Sequence, residues 1–240
     1  MRALRISLIV VVVLAVLATI ADRVALYVTQ NEVASRVQDR LDLEHEPSVS
    51  IKGIPFLTQV FDSELGHVDL GVKSYIATVD DQELSIQNLD VELDDVELTG
   101  GFTEATAATA HGEGIISYTE LTRAYGELLA LSGNGFGVEF EYAGDGRLLL
   151  VLQASALGQT LDVGEVSGEV NLEGDKVSLT VDEDALPDLP DEDMRRAAQE
   201  QINQERTIAG LPEGLSLTSL EPTEEGVRVV VDGENVRVSG

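Results

Sequence analysis

Apolar positions along this chain change their period repeatedly, and each change predicts a different element. Residues 6–21 carry no charge at all and are dominated by Val, Leu, Ile and Ala. Residues 22–42 then spread Val24, Tyr27, Val28, Ala34, Val37 and Leu41 at helical spacing among charged neighbours, which predicts an amphipathic helix ended before Pro47. From Ser48 to about Thr99 the period drops to two. Val68, Leu70 and Val72 alternate with polar residues, followed by Leu84 and Ile86, by Leu89, Val91 and Leu93, and by Val96 and Leu98. This is the pattern of strands with one wet face. The phase slips at Gln87-Asn88 and at Asp94-Asp95, where bulges are expected.

Ser117-Tyr118-Thr119-Glu120 fits a capping box and opens a second helix whose apolar face holds Tyr118, Leu121, Tyr125, Leu128 and Leu129. A second β region follows. Phe136, Val138, Phe140 and Tyr142 alternate, Gly144-Asp145-Gly146 is a turn, and Leu148 to Leu152 forms an unbroken apolar run suited to a strand buried on both faces. Leu161 and Val163, Val170 and Leu172, then Val177, Leu179 and Val181 continue the meander, with Glu173-Gly174-Asp175 as a hairpin loop. Pro190 and the acids after it predict a third helix. Three short strands close the chain, around 215–217, 227–231 and 236–238, with the last two joined at Asp232-Gly233. Strands separated by short turns pair antiparallel, so the fold class is α+β, with a long curved antiparallel sheet wrapping one or more helices.

Composition narrows the function. Arg2 and Arg5 precede the uncharged run as the basic region of an export signal does, and Thr19 and Ala21 are small enough for cleavage. The run of 16 residues is short of the roughly 20 that span a bilayer. Residues 1–21 therefore read as signal peptide or membrane anchor, and 22–240 as one domain. The chain has no cysteine, so neither disulfides nor lipoprotein processing arise. It carries 44 acidic against 15 basic residues, a balance that disfavours nucleic acid and polybasic lipid recognition. His45, His67 and His111 show no metal-ligand spacing, and no nucleophile elbow, P-loop or dinucleotide fingerprint occurs. No metal, cofactor or catalytic residue is expected. Lys52, Arg123 and Arg147 are the cations a phosphate would meet, and each reads first as a solubilising surface charge.

The segment Ile51-Lys52-Gly53-Ile54-Pro55-Phe56-Leu57-Thr58-Gln59 carries a resemblance. With Leu211-Pro212, Gly214-Leu215, Leu217, Glu225-Gly226-Val227 and Gly233 near the C-terminus, it resembles the LmeA-like phospholipid-binding family, common in actinobacteria. Ile54 stands where an aromatic or another apolar residue is often found. The resemblance implies export to the cell envelope, phospholipid binding, a role near glycolipid assembly and a tubular lipid-binding fold in which a curved sheet wraps a helix around an acyl-chain groove. It identifies no headgroup ligand.

The expectation is an anchored or secreted envelope protein, on the extracytoplasmic face, that binds phospholipid acyl chains and transfers or presents them without covalent chemistry. The expected groove has Ile54, Phe56, Leu57 and Phe61 on one side and Leu121, Tyr125, Leu128 and Leu129 on a facing helix, with Phe136 and Phe140 nearby. The competing expectation is a dry-cored acidic scaffold that positions envelope enzymes.

Overall fold

The computed structural model describes residues 2–79, 82–100, 104–131, 136–156, 159–181, 205–209, 211 and 213–239. The chain divides into two compact units: residues 1–72, 91–110 and 234–240 form the first, and residues 73–90 and 111–233 the second. The expected helix opened by Pro190 lies outside the described residues.

The first unit begins with one helix, α1 (Arg2–Leu41), in which the uncharged run and the amphipathic segment are continuous. Nothing interrupts it, because neither proline nor glycine occurs between residues 2 and 41. It stops where Asp42 turns left-handed (φ 49°) and the Leu43 N–H donates to the Gln38 carbonyl at 3.0 Å, closing a Schellman-type end. Strand β1 (Ser48–Ile51) pairs antiparallel with β2 (Glu64–Val79), matching Ile51 to Val68. Between them lies a short helix, α2 (Phe56–Asp62), which starts inside the signature directly after Pro55. The core of this unit is Ile51, Phe56, Leu65, Val68, Val96 and Ala107, against which Ala25 and Leu26 of α1 pack.

This corrects the expected face of α1. Val24, Tyr27 and Val28 are 59%, 66% and 55% exposed, whereas the carboxylate-bearing Asp22 and the small Ala34 are buried. Of the expected stripe Ala34 is buried and Val37 half-buried, while Leu41 is exposed like the other three; the buried side adds Asp22 against α2 and Ala25 and Leu26 against the core.

Strand β3 (Gln82–Thr99) runs through both predicted phase slips without ending. Asn88 and Asp95 take left-handed φ of 50° and 49°, so each slip is a local kink that resets which residues face inward. Strand β4 (Glu104–Ile116) was not anticipated. Its sequence, EATAATAHGEGII, replaces branched apolars by Ala, Thr and Gly because neighbours press close: Ala107 is fully buried, and a Cβ on Gly114 would lie 2.6 Å from the Ile86 methyl.

In the second unit α3 (Tyr118–Leu131) is followed by a meander of β5 (Phe136–Gly144), β6 (Arg147–Ala156), β7 (Gln159–Glu173) and β8 (Lys176–Val181). Hairpin turns fall at Asp145-Gly146, where both residues have positive φ, and at Gly174-Asp175, as the glycine and aspartate placement predicts. Leu161 to Leu172 belong to one strand instead of two, with the slip absorbed opposite Leu152 and Gln153. The run at 148–152 is buried at Leu148, Leu150, Val151 and Leu152, while Leu149 is half-buried.

Strand β9 (Arg206–Ala209) links β8 to β2, and β10 (Leu215–Thr223) pairs with β11 (Gly226–Ser239). The expected turn at Asp232-Gly233 is not one. Gly233 sits in the ladder opposite Leu215, and the hairpin turns at Glu224-Glu225. Glycine there marks a paired position, not a reversal.

The strands form one antiparallel path, β10-β11-β4-β3-β2-β9-β8-β7-β6-β5, with β1 added beside β2. The α+β class and antiparallel sheet are as predicted. Within the second unit β10, at one end of the path, contacts β5, β6 and β7 at the other. The intervening core holds Val138, Phe140, Leu148, Leu150, Leu152, Val166, Val181 and Val227, and a second cluster lies around Ile86, Ile116, Leu217 and Val229. Leu121 of α3 packs against both.

Candidate functional site

Two apolar regions, one in each unit, contain the residues singled out from sequence. In the first unit, nearly every signature residue has a local task. Gly53 takes φ 99°, and a Cβ there would come within 2.6 Å of the Gln59 amide. The Ile54–Pro55 peptide is cis. Thr58 Oγ1 donates to the Pro55 carbonyl at 2.8 Å. Gln59 spans the loop, donating from Nε2 to the Lys52 carbonyl at 3.1 Å and accepting the Gly66 N–H at Oε1, also 3.1 Å. Phe56, 2% exposed, plugs the core.

The first turn of α2 has no cap of its own. Its Leu57 N–H instead donates to Asp22 Oδ1 of α1 at 2.8 Å, and Arg23 Nε donates to the other carboxylate oxygen at 3.1 Å. Together they cap α2 from a neighbouring helix and pair the Asp22 carboxylate. The sequence signal for this contact was available: Asp22 is the first acid after an uncharged run. Its partner, 35 residues away, was not readable. Asp22→Ala is expected to lower the melting temperature and Asp22→Asn to lower it less, since an amide oxygen still accepts from Leu57 but loses the ion pair. Thermal unfolding at neutral pH reads the order.

What the signature leaves outside is apolar. Ile54 is 82% exposed, Phe61 90% and Leu57 45%. Of the four residues expected on this side of a lipid site, Ile54, Leu57 and Phe61 therefore present surface and Phe56 is core.

In the second unit, Ser117 Oγ accepts the Glu120 N–H at 3.3 Å, one half of the capping box. The Glu120 carboxylate completes a different bond, accepting the Ser85 N–H at 2.9 Å, and with Arg123 it ties α3 to β3. Thr122 Oγ1 accepts the Phe140 N–H at 2.9 Å, fixing α3 to β5. The helix face so positioned carries Tyr118, Leu121 and Tyr125, all half-buried. Tyr125 meets Phe140 edge-on at 5.3 Å, and the Arg206 guanidinium lies 4.7 Å from the Tyr125 ring centroid. Leu121, Tyr125 and Phe140 are thus brought together. The side chains of Leu128, Leu129 and Phe136 lie outside the described residues.

The cations considered for a phosphate each meet an acid. Lys52 Nζ is 2.7 Å from Asp69, Arg123 is 2.6 Å from Glu120, and Arg147 is 3.8 Å from Glu169. No group of three or more His, Asp or Glu among the described residues is arranged to hold a metal ion.

Two histidines form pH-sensitive ties. His67 in the first unit places Nε2 2.6 Å from Asp69 and Nδ1 2.6 Å from Asp94, bridging β2 and β3. Neutral imidazole has one N–H, so serving both carboxylates requires the doubly protonated ring. Asp94 first, and then Asp69, raise the His67 pKa, and Lys52 foremost lowers that of Asp69. His111 in the second unit is raised likewise, by Asp232 and then Glu113. A raised histidine contributes stability that is complete below about pH 6.5 and is lost as pH climbs through its folded-state value. A lowered aspartate contributes above about pH 3.9 and is lost as acid passes its folded-state value. Urea midpoints should therefore be highest between about pH 4 and 6.5 and fall at higher pH. His67→Gln and His111→Gln should each flatten part of that fall.

Fold and surface together define a class: an α+β antiparallel-sheet protein behind an N-terminal helix long and apolar enough to cross a membrane, with a half-buried apolar face on α3. The chain belongs to the LmeA-like phospholipid-binding family, whose model matches residues 20–232. No curated protein and no solved structure matches it.

Proposed function

We propose that α1 holds this protein in the plasma membrane with its sheet units on the extracytoplasmic side, and that the second unit binds phospholipid by its acyl chains for transfer or presentation. Arg2 and Arg5 at the start of α1 favour the orientation, since basic residues stay on the cytoplasmic side. The observation that carries the site is that α3 contributes apolar side chains, Tyr118, Leu121 and Tyr125, that are only half-buried against a β core. A closed core would hide them, whereas a chain-binding face keeps part of their surface for the ligand. Each acyl methylene taken from water contributes about 0.8 kcal/mol, so a partial chain suffices without any cation. That suits a surface whose candidate cations are already paired with acids.

Incubating residues 22–240 with vesicles containing a phospholipid labelled at its chain end tests this reading. Fluorescence enhancement that unlabelled lipids of different headgroup suppress equally is expected. Suppression that depends on the headgroup alone, or no enhancement, would contradict acyl-chain binding.

A further inference from the structure

The uncharged run of α1, 16 residues, rises about 24 Å, whereas the hydrocarbon layer is about 30 Å thick. If α1 spans a bilayer, the apolar boundary therefore lies about four residues beyond Ala21, past the charged pair Asp22-Arg23. Three features of the first unit fit that depth. Val24, Tyr27 and Val28, the next apolar residues, stay exposed on α1 instead of joining the core. Asp22 and Arg23 are paired to each other, and Asp22 is buried under α2, so the charges at this level are largely neutralised. The Asp22–Leu57 hydrogen bond holds α2 within about one helical turn of that boundary. Leu57 and Phe61 stand four residues apart on that helix, and Ile54 leads into it.

We propose that Ile54, Leu57 and Phe61, on the rigid loop built by Gly53, Thr58 and Gln59, form a knob that enters the interfacial layer of the bilayer that α1 spans. Bilayer lipid is the occupant because the knob is continuous, through Asp22, with the membrane-crossing part of α1. Asp62 and Glu64, both exposed beside Phe61, limit the entry to interfacial depth. The knob supplies apolar contact for a protein whose acidic surface an anionic membrane repels. The inference rests on α1 as a retained span and is independent of acyl-chain binding by the second unit.

The chain has no cysteine, so single-cysteine variants report one site each. Full-length Ile54→Cys, Phe61→Cys, Val13→Cys and Asp39→Cys, labelled with a polarity-sensitive fluorophore, would be reconstituted in phosphatidylcholine–phosphatidylglycerol vesicles. Lipids brominated near the headgroup or deep in the chain serve as quenchers. The expected result is a blue shift and shallow-quencher loss of signal at positions 54 and 61, deep-quencher loss at 13, and neither at 39, about 25 Å further along α1 than Asp22. Water-like spectra at 54 and 61 with position 13 quenched would overturn the knob while sparing the anchor. An unquenched position 13 would remove the span and the proposal with it. Lipid uptake by residues 22–240, read separately, decides the acyl-chain reading and bears on neither outcome.

Discussion

Phe56→Ala is expected to lower the unfolding free energy by about 3–5 kcal/mol, the cost of emptying a fully enclosed aromatic site. Phe56 is 2% exposed and surrounded by Ile51, Leu65, Val68, Val96 and Ala107. Emptying the site also loosens α2, which depends on Phe56 for its seat and on Asp22 for its cap. Phe61, five residues on, is the internal control. It is 90% exposed, and Phe61→Ala should change stability by no more than about 0.5 kcal/mol. Urea unfolding of both variants under one condition reads the contrast. Equal effects would mean that the signature does not seat Phe56 inward.

Leu121→Glu is expected to reduce phospholipid binding at least about tenfold while the protein stays folded. Leu121 touches both apolar clusters of the second unit from a half-buried position, so a carboxylate there can extend to water without being trapped in the core. Its charge would nonetheless lie along the acyl path. Losing contact with even two methylenes removes about 1.6 kcal/mol, and every 1.4 kcal/mol is tenfold in affinity. Cooperative unfolding and an unchanged far-ultraviolet spectrum establish the fold, and labelled-lipid titration measures affinity. A folded Leu121→Glu protein with undiminished affinity would exclude this face.

Local signals in the sequence carried to the structure wherever the cause was local. Ser117 starts α3, Asp145-Gly146 and Gly174-Asp175 turn their hairpins, and the alternation slips at Asn88 and Asp95 are left-handed residues within one strand. Features set by distant partners were not legible. Strand β4 carries Ala and Gly because Ile86 and other neighbours crowd it, so its pattern has too little apolar contrast to read. Helix α2 is short and follows a proline, and its cap comes from Asp22 on another helix. Gly233 imitates a turn residue but lies paired in a ladder.

The candidate site shows the same division. Alternation cannot tell that Phe56 turns inward while Phe61 turns out. Nor did it foresee that the two groups of candidates belong to separate units, each with its own core. From sequence the cations near the signature and on α3 read as solubilising surface charges. Glu120, three residues from Arg123 on one helix, was within reach of that reading, whereas Asp69 became the partner of Lys52 only once β1 and β2 were placed.

The most direct measurement is native mass spectrometry of residues 22–240 purified without detergent, followed by extraction and identification of anything released. The account predicts a protein peak heavier than the apo chain by the mass of a phospholipid, with that increment lost in Leu121→Glu. A stable protein at its apo mass that also gains nothing after incubation with phospholipid vesicles would contradict it.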